Sequence, residues 1–202
     1  MDWMQIFTLV TGVLYIIYEI RQKNFMWVVG IATSLAAMWV FFRQGLYASF
    51  GLNTYYFITA FIGLWHWRKD KKALAETSDS KEDTIVLNRL SAKTVLASVL
   101  VVAAGSVALS KGMEYLHDLG ILAENPMSLL DSVTAVLSAV ATWWLVKSYR
   151  AQWWLWIVAD TLSVALCALQ GMWWMAALYL VYVASAVYGL FYWKKHGVYL
   201  NN

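Results

Sequence analysis

An all-α integral membrane protein with seven transmembrane helices is the fold class that this sequence predicts. Three observations carry the prediction: 61% of the 202 residues are hydrophobic and only 13% charged, the apolar residues fall into bilayer-length runs, and the basic residues collect on alternate connections. A soluble domain carries about 25% charged residues because it needs a water-facing shell. The outer surface of this chain must therefore face something other than water. A single cysteine, Cys167, excludes a disulfide scaffold, and a net charge of +3 is too small a footprint for a nucleic-acid binder. The thirteen tryptophans, within 16% aromatic residues, suit membrane interfaces and flat organic ligands.

Roughly 20 apolar helical residues cross a hydrocarbon layer about 30 Å thick. The first span is Trp3–Ile20; it has no basic residue before the apolar run and no small-residue cleavage site, so it is expected to be a retained helix rather than a signal peptide. Arg21-Gln22-Lys23-Asn24 separates it from the second span, Phe25–Phe42, and Arg43-Gln44-Gly45 leads into the third, Leu46–Trp67. A polar stretch, Arg68–Lys93, is expected to be a loop. The fourth span, Thr94–Leu109, is short, contains Ser98, Gly105 and Ser106, and precedes an amphipathic stretch, Lys111–Glu124, that either extends it or lies along the surface. Met127–Val146, Trp153–Leu169 and Met172–Trp193 complete the set, joined by Lys147–Arg150 and Gln170-Gly171. Thirteen of the fifteen Lys and Arg residues follow spans one, three, five and seven; the exceptions are Arg43 and Lys111. Cytoplasmic loops retain Lys and Arg, so the amino terminus is expected outside and the carboxyl terminus inside.

Aligned with itself at an offset of 126 residues, the chain superposes spans one to three on spans five to seven without a gap. Trp27 meets Trp153, Gly45 meets Gly171, Tyr56 meets Tyr182, Ala60 meets Ala186, Gly63 meets Gly189, Trp67 meets Trp193, and Arg68-Lys69 meets Lys194-Lys195. Equivalent spans are four apart, so both halves have the same orientation: a 3+1+3 parallel repeat with span four as the inverting linker. The expected divisions are residues 1–69 (first three-helix bundle), 70–126 (cytoplasmic loop, linker helix and outer loop) and 127–202 (second bundle). Internal repeats of this kind mark carriers, whose substrate site lies near the bilayer midplane.

The candidate site follows from helical spacing. Tyr56, Ala60, Gly63 and Trp67 share one face of the third span, as do Tyr182, Ala186, Gly189 and Trp193 of the seventh. The small residues predict close helix packing, and Trp67 and Trp193 are expected at the cytoplasmic headgroups. Tyr56 and Tyr182 lie deep enough for their hydroxyls to need a partner, either substrate or a neighbouring helix, and Asn53 one turn outward favours a polar lumen. On the sixth span Trp153, Trp156, Asp160, Ser163 and Cys167 form a stripe whose counterpart is Trp27, Gly30, Ser34 and Ala37. Asp160 is the only acid well inside an expected span, where a charged residue costs about 2.5–3.5 kcal/mol to insert. Either it holds the bundle together through a hydroxyl, or with the indoles it receives an organic cation, or it relays protons.

Other chemistries lack their residues. His66, His117 and His196 sit at span ends or in loops, so no haem or metal site is expected; the seventh span has no lysine for a retinal Schiff base; and no phosphate-binding glycine loop is present. The chain is expected to be neither an enzyme nor an ATP-driven pump, and no cofactor is expected.

The segments Asn24–Ile31 (NFMWVVGI), Gly45–Ala48 (GLYA), Gly51–Tyr56 (GLNTYY), Gly63–Trp67 (GLWHW), Trp153–Asp160 (WWLWIVAD) and Gly171–Tyr182 together resemble the PnuC vitamin transporters, in order and spacing, over nearly the whole chain. The resemblance implies a fold akin to the SWEET sugar transporters, a bacterial inner-membrane location, and facilitated diffusion of nicotinamide riboside with trapping by a cytoplasmic kinase. It also implies self-association. Nicotinamide riboside is a pyridinium cation, as a tryptophan–aspartate stripe would want. Ser49 stands where many riboside carriers have Asp, and Asn53 where they have Gln. Thiamine, also a cation, is the nearest alternative, and riboflavin a further one. The implied substrate residues are Trp27, Ser34, Asn53 and Tyr56 from the first half, and Trp153, Trp156, Asp160, Tyr179 and Tyr182 from the second.

Overall fold

A computed structural model describes residues 12, 14–43, 47–77, 84–122 and 126–200, apart from the side chains at 37, 40, 41 and 47–49. Most of the first expected span, the Gln44-Gly45 turn and the Ser49 side chain thus lie outside the described residues. Without water in the bilayer the backbone must satisfy its own hydrogen bonds, and the chain does so as helices. Residues 14–20 form α1. They are followed by α2 (Phe25–Arg43), α3 (Tyr47–Thr77), α4 (Ala92–Asp118), α5 (Ser128–Val146), α6 (Gln152–Leu169) and α7 (Trp173–His196), with two short strands, β1 (Ile85–Leu87) and β2 (Gly197–Tyr199). Among the described residues α4, α5, α6 and α7 are each long and apolar enough to cross a membrane.

Two expectations are corrected here. The fourth span is not the weak one: α4 runs unbroken for 27 residues to Asp118, so Lys111–Asp118 extends it. Ser91 starts this helix by accepting the Thr94 N–H at 3.1 Å. Nor is Arg68–Lys93 a polar loop throughout, because α3 continues to Thr77 and Ile85-Val86-Leu87 is a strand with each residue only 1% exposed.

The chain forms two compact units. One comprises the described residues up to Arg89, Thr142–Arg150 and the stretch from Phe191; the other comprises Leu90–Ala141 and Ala151–Leu190. In the first, α2 packs on α3 through small residues. A Cβ on Gly63 would lie 2.6 Å from Trp27 Cε2, so only glycine lets the Trp27 indole seat there. Trp67 closes on the same indole edge-on, with centroids 5.0 Å apart. In the second unit the same seat recurs: a Cβ on Gly189 would lie 2.6 Å from Trp153 Cη2. There α4 meets α5 through Gly105 beside Val136 and through a Ser110–Ser128 hydroxyl pair at 3.0 Å.

The basic end of the first unit gathers the last turns of α1, α5 and α7 around α3 at Trp67. Trp67 Nε1 donates to the Leu145 carbonyl of α5 at 3.1 Å, and Trp193 Nε1 donates to the Ile20 carbonyl of α1 at 2.9 Å. Both carbonyls belong to last turns, where intrahelical donors run out; the Leu145 carbonyl also accepts the Ser148 N–H at 2.9 Å. Trp67 and Trp193 are 1% and 0% exposed, which overturns their expected place among headgroups. Exposed tryptophans instead include Trp39, Trp65 and Trp143, each covered by the cation four residues on: Arg43, Lys69 and Lys147 at 5.6, 5.4 and 5.3 Å from the ring centroids. We expect Trp193→Phe to cost about 1–2 kcal/mol, because the Ile20 carbonyl loses its indole donor, and Trp67→Phe to cost less, because the Leu145 carbonyl keeps the Ser148 N–H. Trp65→Phe should cost almost nothing; thermal unfolding in detergent checks all three.

α1 and α5 end alike. Gln22 N–H donates to the Glu19 carbonyl and Lys23 N–H to Tyr18; at α5, Ser148 donates to Leu145 and Tyr149 to Trp144. Each is a Schellman turn whose left-handed position favours glycine, yet Gln22 (φ 48°) and Ser148 (φ 54°) occupy it. The α6 end uses Gly171 in the same place, with φ 74°.

Candidate functional site

The sixth-helix stripe expected from the sequence is a buried face. Trp153, Asp160, Ser163 and Cys167 are buried along α6, and Trp156 is half-buried one turn before Asp160. Asp160 is 7% exposed, and no Lys or Arg pairs with it among the described residues. Tyr179 and Tyr182 of α7 stand within electrostatic reach of its carboxyl, their rings edge-to-face at 5.8 Å. Tyr179 is also within hydrogen-bonding reach of Ser163, whose hydroxyl donates to the Ala159 carbonyl at 3.0 Å. The buried Trp156 Nε1 finds no acceptor among the described residues. This half of the site is therefore a carboxyl, two phenols and an indole donor in an apolar wall. Such a group can receive a flat cation that also carries hydroxyls.

The first-half residues fall in the first unit. Trp27 is 1% exposed, with its indole on Gly63 and its Nε1 without an acceptor among the described residues. Ser34, two turns further along α2, is buried. Asn53 and Tyr56, one turn apart on α3, are half-buried. Tyr56 touches Tyr55 with ring centroids 5.7 Å apart, and lies within electrostatic reach of Tyr15 on α1. The residues expected from each half thus fall within one unit each.

Sequence reasoning missed Glu19. It is 5% exposed in the last turn of α1, close to Tyr15, so Asp160 is not the one buried acid. Its position one residue from the end of the expected span made it look like a headgroup charge. Also missed were Gln22, Ser148 and Asn88 at the basic end. The available signal was the repeat register, which sets Gln22 opposite Ser148 at a helix stop where glycine is the usual residue.

Four helices long and apolar enough to cross a membrane, among the described residues, define the class as a polytopic membrane protein, and a buried carboxyl beside indoles and phenols suits an organic solute. Residues 2–195 match the family model described as nicotinamide mononucleotide transporter, and the chain belongs to that family. It is 32% identical to the nicotinamide riboside transporter PnuC of Neisseria mucosa, covering 96% of this chain and 73% of that protein. It is 23% identical to PnuC of Haemophilus influenzae, covering 96% of this chain and 80% of that one. A crystal structure of the vitamin B3 transporter PnuC superposes with a TM-score of 0.65 at 30% identity, over 93% of this chain and 79% of that chain. The resemblance read from the sequence is thereby established.

Proposed function

We propose that this protein carries nicotinamide riboside across a bacterial inner membrane by facilitated diffusion, with a cytoplasmic kinase trapping the product by phosphorylation. The observation that carries the reading is Asp160: among the described residues, a buried carboxyl with no cationic side chain beside it, one helical turn from an indole N–H that lacks an acceptor. A pyridinium riboside supplies the missing positive charge and the missing acceptors in one molecule. The relatives named above are transporters of that compound, which supports the assignment.

The architecture we propose is seven spans in a 3+1+3 parallel repeat of the SWEET type, with residues 1–69 and 127–202 as the two bundles and 70–126 between them. Two observations support it. The indole-on-glycine seats Trp27–Gly63 and Trp153–Gly189, and the left-handed positions Gln22 and Ser148, are both related by the repeat offset. The basic residues favour an outside amino terminus and an inside carboxyl terminus. Substrate contacts are assigned to Trp27, Ser34, Asn53 and Tyr56 and to Trp153, Trp156, Asp160, Tyr179 and Tyr182, and the carrier is taken to self-associate.

The test is a binding screen by tryptophan fluorescence on purified protein against nicotinamide riboside, thiamine and riboflavin, followed by uptake into proteoliposomes. Nicotinamide riboside should bind tightest and equilibrate without accumulating. Preferred binding of thiamine would reassign the vitamin, and accumulation driven by an imposed pH gradient would replace facilitated diffusion with proton coupling through Asp160.

A further inference from the structure

The segment Thr84–Asn88 is held at the basic end by contacts that no expectation of a solvated loop explains. The Gln22 side chain, 1% exposed, grips Val86 on both sides, Oε1 accepting its N–H at 2.7 Å and Nε2 donating to its carbonyl at 2.9 Å. The same Nε2 reaches Ser148 Oγ at 3.2 Å. Asn88 Nδ2 donates to Asp70 Oδ2 at 2.6 Å and to the Lys147 carbonyl at 3.1 Å, while its backbone N–H donates to the Ser148 carbonyl at 3.2 Å. On the far edge β1 pairs in parallel with β2, Ile85 opposite Gly197, and Leu200 N–H donates to the Leu87 carbonyl. A Cβ at Gly197 would run into the Leu87 side chain.

We propose that Thr84–Asn88 is a gate strand that shuts the carrier at its basic end and must be released for solute to leave there. The inference rests on the transport reading above, since a gate needs a pathway. Its attachment points are the ends of α1 and α5, through Gln22, Lys147 and Ser148, the body of α3 at Asp70, and the strand that follows α7. Those are the elements that two rocking bundles must separate to open on this side, and the strand ties them across both repeats. Gln22 and Ser148 are repeat counterparts in contact with each other, so the strand crosses where the two halves meet at this end. Both hold a left-handed backbone that glycine would adopt without strain. Their side chains must therefore do something that glycine cannot: Gln22 grips Val86, and the Ser148 hydroxyl accepts from the same Gln22 Nε2. The clasp is built of hydrogen bonds, which exchange for water more readily than packed apolar surface and so suit a contact made and broken in each cycle.

The test uses the full chain with Cys167→Ala, in nanodiscs, and a membrane-impermeant maleimide. Val86→Cys should label far more slowly than Lys72→Cys, which is exposed. Gln22→Gly, which keeps the helix stop and removes only the clasp, should speed its labelling about tenfold or more. Asn88→Ala, which leaves both helix ends untouched, should do the same. Bridging Gln22→Cys to Val86→Cys with a bifunctional methanethiosulfonate should abolish nicotinamide riboside uptake, and reductant should restore it, with fluorescence-detected binding retained throughout. Labelling of Val86→Cys as fast as Lys72→Cys, no acceleration by either clasp variant, or undiminished uptake by the bridged protein would overturn the gate. Labelling as expected with no nicotinamide riboside binding would leave the clasp standing and remove the substrate assignment instead.

Discussion

Asp160→Asn should weaken nicotinamide riboside binding by about 2–3 kcal/mol, on the order of 30- to 150-fold in Kd, while riboflavin binding changes by less than about threefold. The amide keeps the shape and hydrogen-bonding capacity of the carboxyl, so what is lost is the charge. In water that charge would be worth about 1 kcal/mol against a cation 4 Å away. Here the carboxyl is 7% exposed among Trp156, Tyr179 and Tyr182, and screening is weak. The folded protein should not suffer, because a neutral amide is cheaper than a carboxylate to hold in a bilayer. Titration of tryptophan fluorescence with both vitamins, alongside a melting curve of the variant, measures all of this. Equal loss for both vitamins would mean that Asp160 shapes the pocket without reading charge, and a collapse in melting temperature would make it a bundle-holding residue.

Gly63→Ala and Gly189→Ala should each destabilise the fold by about 2 kcal/mol or more, although alanine is the better helix former by about 1 kcal/mol. The added methyl would stand 2.6 Å from Trp27 in one case and from Trp153 in the other, and both indoles are almost fully buried. With no free volume to retreat into, the indole must leave its rotamer or the helices must part. Gly51→Ala and Gly112→Ala, whose methyls would meet nothing within 4 Å, should be neutral or stabilising. Adding Trp27→Leu to Gly63→Ala should restore part of the loss, a non-additivity expected only of residues in contact. Detergent melting curves of the single and paired variants would show it; a Gly63→Ala protein as stable as Gly51→Ala would mean that the seat is soft.

Much of this was legible in the sequence, since hydrophobic runs and the offset of 126 residues already located the helices and set Trp27 opposite Trp153 and Gly63 opposite Gly189, though not each indole on its glycine. The α6 stripe was legible for the same reason: a period of 3.6 survives whatever surrounds the helix. What escaped depended on partners distant in the chain. Trp65 and Trp67 stand two apart at one span end, and nothing local says that the first is exposed beside Lys69 while the second is buried against Leu145. Ile85-Val86-Leu87 is three apolar residues in a polar stretch, too short for any periodicity to show, and its burial depends on Gln22, 64 positions away. Glu19 was passed over because a charge near a span end is ordinary unless the protein covers it.

The Gln22–Ser148 contact bears on why the two halves occupy one chain. Two copies of a half-length chain associating as a symmetric pair would put the same side chain on both sides of their axis, glutamine against glutamine or serine against serine. Joined in one polypeptide, the two positions are free to diverge: one grew long enough to hold Val86 and the other stayed small beside it. A strand present in a single copy has no symmetric partner of its own. In the proposed 3+1+3 repeat, covalent fusion would thus allow an off-centre clasp that two identical half-length chains could not build without duplicating it.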